Sequence, residues 1–156
     1  MNALQRLVKQ VLTSEFLESE DRPVIKEVVY RLELDLHGFE DVNQKIQKQI
    51  EIEADMVYLL SKYRNVAAES KFDLEEEQAG VFLDSPRINN GGYKATANEL
   101  KAYQLTHPDV AVKRRRNQAA QALYETLQEI SMIVFGRNKK LNELSVNYRQ
   151  ELKADH

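Results

Sequence analysis

Near the C-terminus, Leu123, Leu127, Ile130, Val134, Arg137, Leu141, Leu144 and Tyr148 follow one another at alternating steps of four and three residues, and this run constrains the fold more than any other feature. A strand cannot use that spacing, because its side chains alternate with a period of two. On an α-helix the spacing draws one seam, and seven of its eight positions are apolar. That is the heptad pattern of a helix packed lengthwise against another. Arg137 interrupts the seam beside Gly136, a place for a bend or for a charge facing a partner. The helix is expected to run from Pro108, in its first turn, to about Lys153.

The rest of the chain carries shorter versions of the same signal. Leu4, Leu7, Val8, Val11 and Leu12 predict an amphipathic helix that ends near Glu18. Asp21 reads as an N-cap ahead of Pro23, and Val24, Ile25, Val28, Val29, Leu32 and Leu36 form a second stripe up to His37-Gly38. A third stripe, Val42, Ile46, Ile50, Met56, Val57, Leu60 and Tyr63, predicts a helix from about Glu40 to Lys71. One small core cannot cover a helix of that length, so it wants a partner along its side. After Glu75-Glu76-Glu77 the periodicity fails. Residues 79–95 hold three of the five glycines and include the turn signal Asn89-Asn90-Gly91-Gly92, which predicts a long loop with Val81-Phe82-Leu83 as a candidate extended piece. Thr96 and Glu99 form a capping box for a short helix to about Leu105, and Thr106 reads as the cap of the last helix.

The expected fold is therefore all-α, built from long amphipathic helices with a coiled-coil-like C-terminal helix, and it assembles as an oligomer. As one domain overall it divides into an N-terminal helical pair (1–38), a long helix (39–75), a loop (76–95) and a C-terminal oligomerisation region (96–156).

Several function classes find no support in the residues. There is no cysteine, hence no disulfide and no thiolate metal site. Neither a P-loop nor a Gly-rich dinucleotide turn nor a nucleophile motif is present, and Gly91-Gly92-Tyr93-Lys94 lacks the Walker spacing. His37, His107 and His156 lie far apart with no carboxylate at ligand spacing, so the sequence predicts neither metal nor cofactor, and no enzymatic activity. MNALQRLVKQVL interrupts its apolar pairs with polar residues and is no signal-peptide core, nor does any stretch approach a membrane span. The expected location is cytoplasmic, away from membranes.

Charge is what remains. The net of −3 conceals an asymmetry: residues 1–93 carry 11 Lys/Arg against 18 Asp/Glu, and residues 94–156 carry 11 against 7. Such a chain can meet an anionic partner with one half, or stack on copies of itself. Two local features stand out. Lys62-Tyr63-Arg64 closes the long helix, where cations also favour the helix dipole. Lys113-Arg114-Arg115-Arg116 opens the last helix, where four cations oppose that dipole and one another, so binding to an anionic polymer or acidic surface accounts for them better than solubility. Single-stranded nucleic acid takes a cationic track with aromatic rings for base stacking. Tyr63, which also fits the core stripe, and Tyr93 beside Lys94 are the candidate rings, with Tyr103 a short helix away.

In this order of features the chain resembles the phage recombination mediators of the UvsY type. The resemblance rests on Lys62-Tyr63-Arg64, similar to a Lys-x-Arg element of that family, on Asn98-Glu99-Leu100-Lys101 followed by Asp109-Val110, and on Tyr124, Leu127, Arg137 and Arg149 in the closing helix. It covers about residues 42–152; the N-terminal helices are additional, and the chain is net acidic where a DNA binder is usually basic. The resemblance implies a non-catalytic, single-stranded-DNA-binding oligomer that helps to load a RecA-like recombinase, alongside a single-strand-binding protein, in a bacterial host cell. Lys62 and Arg64 would then contact phosphates, and residues 108–153 would build the oligomer through Leu123, Leu127, Ile130, Val134, Leu141, Leu144 and Tyr148. Lys94 and the cluster from Lys113 to Arg116 join the DNA-binding set on charge alone. The competing reading is a helical scaffold, adaptor or anti-defence protein that binds another protein through its apolar seams.

Overall fold

A computed structural model describes residues 3–32, 39–84 and 96–154. It contains five helices and, among the described residues, no strand: α1 (Ala3–Leu12), α2 (Asp21–Leu32), α3 (Phe39–Asp84), α4 (Ala97–Thr106) and α5 (Pro108–Ala154). The fold is all-α, as the periodicity requires.

α3 is longer than its sequence stripe. The acidic run and Gly80 lie inside it, and Val81, Phe82 and Leu83 are helical rather than extended. The predicted loop thus loses residues 79–84 to the helix; the turn signal at Asn89–Gly92 lies outside the described residues, as do His37 and Gly38. A lone glycine costs a helix only about 1 kcal/mol relative to alanine, which continuous packing on the other face offsets. Val81 is buried and supplies such packing.

The chain divides into two compact units. The first comprises Met1–Lys62 with Leu123–His156, the second Tyr63–Ala122. In the first unit α1 packs on α2 through Val8, Val11, Ile25 and Val28. Arg22 donates from Nη1 to the carbonyl of Leu12, satisfying one of the acceptors that a helix C-terminus leaves open. α3 contributes Gln49, Ile52, Met56 and Leu59 to this core, and α5 contributes Leu123, Leu127, Ile130, Val134 and Leu141. The two helices are stitched by the Gln49 side chain, whose Nε2 donates to the Val134 carbonyl at 2.8 Å. The buried face of α3 matches the predicted stripe only in part: Met56 and Tyr63 are buried as the stripe expects. Ile50 and Val57 point outward, while a glutamine takes a core position. The stripe misleads because α3 carries apolar residues on two faces, and hydrophobicity alone does not say which is covered.

In the second unit α3 and α5 run antiparallel. Ser70 Oγ lies 3.3 Å from Asn117 Oδ1, and Asp73 lies 3.4 Å from Lys113 Nζ, so position rises on one helix as it falls on the other. Tyr63, Ala67 and Val81 of α3 are buried here, with Val110 and Ala120 of α5. α4 opens with the expected capping box, Thr96 and Glu99 satisfying each other's backbone. It buries no residue of its own; Gln104 Nε2 ties it to the Gln78 carbonyl of α3 at 2.6 Å. The α4–α5 corner differs from expectation. Thr106 belongs to α4 and turns its hydroxyl back to Ala102 and Tyr103. His107 is the residue that closes α4 and opens α5: its extended backbone (φ −63°, ψ 131°) is what a following proline enforces, and its carbonyl accepts from Ala111 N at 3.0 Å.

Candidate nucleic-acid interface

Lys62 sits on the exit of α1 and the start of α2. Its ammonium lies 2.6 Å from Glu18, 3.1 Å from Glu20 and 2.9 Å from Asp21, and over the Tyr58 ring at 5.7 Å. The hydrogen bond to Glu18 raises its pKa most, with Asp21 next and burial partly opposing, so it stays charged well above the usual lysine range. A cation held by three carboxylates is not available to a phosphate, since a backbone contact would have to displace ligands already in place. The assignment of Lys62 to DNA contact is corrected accordingly: it is a structural clamp on the α1–α2 connection.

Tyr63 is corrected as well. Its ring is 1 % exposed and belongs to the core, where no base can reach it. Arg64, one residue on, is exposed. Two turns further along the same face of α3 come Lys71 and Phe72, both exposed, with Phe72 at 66 % the more open of the two phenylalanines at this end of the helix. Lys71 lies 3.7 Å from Glu75, a solvent-exposed i,i+4 pair that is worth little and easily opened. The sequence held a signal for Phe72, a ring directly after a cation, as in Lys62-Tyr63. Of these two similar pairs, the one whose ring also lies on the apolar stripe of α3 is the buried one.

The four-cation cluster of α5 splits by face, as consecutive residues on a helix must. Lys113 and Arg114 turn toward the helix pair: Lys113 reaches Asp73, and Arg114 is half-buried with Nη2 lacking a hydrogen-bond partner. Arg115 and Arg116 are exposed. Tyr93 and Lys94 lie outside the described residues.

The seam does not face outward. Leu123, Leu127, Ile130, Val134 and Leu141 are all buried within a single chain, and Leu144 is half-buried. Their assignment to an oligomer interface is corrected: the heptad positions build the first unit's own core, because α3 supplies the partner helix in the same chain. The side chain of Tyr148 lies outside the described residues. Arg137 sits half-buried at the interruption, where desolvation lowers its pKa. α5 passes through Gly136 without a break, and a Cβ there would meet nothing within 4 Å. What α5 does show to solvent in this unit is a different set, Met132, Ile133, Phe135 and Val146. Phe135 and Val146 line an open groove with Asn138, Asn142 and Glu53.

No described helix is long and apolar enough to cross a membrane. Among the described residues the fold brings one mixed donor set together, in the second unit: Glu77, His107 and Asp109. The sequence reading missed it because Glu77 comes from α3, thirty positions before the histidine. No family model, curated protein or solved structure matches the chain.

Proposed function

We propose that this chain is a non-catalytic, single-stranded-DNA-binding recombination mediator that works as a homo-oligomer and assists a RecA-like recombinase. The observation that carries the reading is the exposed set Arg64, Lys71, Arg115 and Arg116 with the open Phe72 ring, all within the second unit. A cationic track with a sequence-tolerant stacking platform is the chemistry single strands require. Lys62 and Tyr63 drop out of the interface, and Phe72 takes the stacking role. Self-association in this reading uses the exposed apolar side chains of the first unit, Ile50, Val57, Met132 and Val146, in place of the buried seam. The same exposed faces favour a second reading, a helical adaptor or anti-defence protein docking on another protein.

Fluorescence anisotropy with a labelled single-stranded oligonucleotide tests the first reading. Wild type is expected to bind at low salt, Arg115→Ala/Arg116→Ala to bind weakly, and Phe72→Ala to lose affinity equivalent to about 1–3 kcal/mol. Absence of binding by folded wild type at low salt would transfer the proposal to the adaptor reading.

A further inference from the structure

We infer that Glu77, His107 and Asp109 form a binding site for one divalent transition-metal ion, of which Zn2+ is the best-matched example. One ligand atom from each residue falls within 4.8 Å of the others. They come from separate elements of the second unit: Glu77 from α3, His107 from the α4–α5 corner and Asp109 from the first turn of α5. Atoms bound to a common Zn2+ ion lie about 2.1 Å from it, hence no more than about 4.2 Å apart. His107 Nδ1 and Asp109 Oδ2, 3.7 Å apart, already meet that limit, and side-chain torsions of Glu77 and of the exposed Asp109 are enough to adjust the set around an ion.

The histidine is what distinguishes this group from an ordinary acidic cluster. Its Nδ1 is buried, has no hydrogen-bond partner, and lies 3.7 Å from Asp109 Oδ2, beyond hydrogen-bonding distance. A buried ring nitrogen with nothing to bind is costly, and a metal would satisfy it. The ring is also held in place. Tyr103, one turn earlier on α4, meets it edge-on at 6.1 Å between centroids, and the Gln104–Gln78 hydrogen bond fastens that turn of α4 beside Glu77. Pro108 sets the extended backbone at the corner and so fixes the direction from which His107 and Asp109 approach. One imidazole with two carboxylates is a nitrogen–oxygen set suited to Zn2+ and its neighbours rather than to Mg2+, which keeps an all-oxygen, largely hydrated shell. The ion would cross-link α3 to the α4–α5 corner, beside the Gln104–Gln78 hydrogen bond.

The test is titration of the EDTA-treated full-length chain with ZnCl2 by isothermal calorimetry, with Co2+ absorption as a readout of inner-sphere nitrogen–oxygen ligation. One equivalent is expected to bind and to raise the melting temperature. His107→Gln and Glu77→Gln, checked for helicity by circular dichroism, are each expected to weaken binding on the order of tenfold or more. Failure of the wild type to bind, or equal affinity in both folded variants, overturns the site. DNA binding is measured on the same samples, so its presence or absence is read separately from that of the metal.

Discussion

Lys62 shows how the identity of a residue can be plain in the sequence while its role is not. A lysine beside a tyrosine near a helix end fits phosphate contact, dipole compensation and an internal clamp equally well. The decision depends on Glu18, Glu20 and Asp21, more than forty positions away. Asp21 is itself almost fully buried, so removing the cation strands a carboxylate in the first unit. Lys62→Met is expected to destabilise the protein by about 2 kcal/mol at neutral pH, the buried-pair effect reduced for the two exposed partners. Because the folded pKa lies above the unfolded value of 10.5, the contribution is complete below that pH and fades as pH rises beyond it. Urea melts of both proteins at pH 7 and above pH 10.5 check this: a gap that stays constant contradicts the clamp. The helical glycines make a contrasting prediction. A Cβ at Gly80 or Gly136 would meet nothing within 4 Å, so Gly80→Ala and Gly136→Ala should each stabilise by roughly 0.5–1 kcal/mol in the same melts.

At the scale of elements, the helices were legible and their faces only partly so. The heptad steps of α5 named its buried positions from Leu123 to Leu141, because a continuous 3.5-residue repeat leaves one choice of face. α3 offered two apolar faces, and the one in the core contains Gln49, which no hydrophobic pattern would select. Gln49 belongs there because its amide reaches a backbone carbonyl of α5, an interaction visible only once the helices are paired. Helix ends are less legible than helix faces. The glutamates after Asp73 look like a terminus, yet the helix continues to Asp84 since Val81 still has a core to enter. The partner of the seam was misassigned for a related reason: a heptad states that a helix is needed alongside, not whether the same chain provides it. The outward faces that result give a test of assembly. Ile50→Glu with Met132→Glu is expected to lower the sedimenting mass while helicity is retained, whereas a substitution in the buried seam should unfold the first unit. An unchanged mass in the folded double variant would remove these faces from the assembly.

For the whole molecule, net charge points away from DNA and local charge points toward it. The chain carries −3 overall, yet Arg64, Lys71, Arg115 and Arg116 of the second unit are exposed, while Lys62 of the first is paired with its own acids. Net charge governs long-range steering; contact affinity depends on which cations reach the phosphates. The cationic cluster at Lys113–Arg116 was readable from composition, but its division into inward and outward members requires the α3–α5 pairing, and the Glu77–His107–Asp109 group requires the α4–α5 corner as well. The measurement that bears most directly on the account is the salt dependence of single-stranded DNA binding for wild type, Lys62→Ala and Arg115→Ala/Arg116→Ala. With four contacting cations the slope of log K against log salt is expected near about −3, falling to about −1.5 in the arginine variant. Lys62→Ala, measured where it remains folded, should keep the wild-type slope. A slope near zero for wild type, or one that falls with Lys62 and not with the arginines, would contradict it.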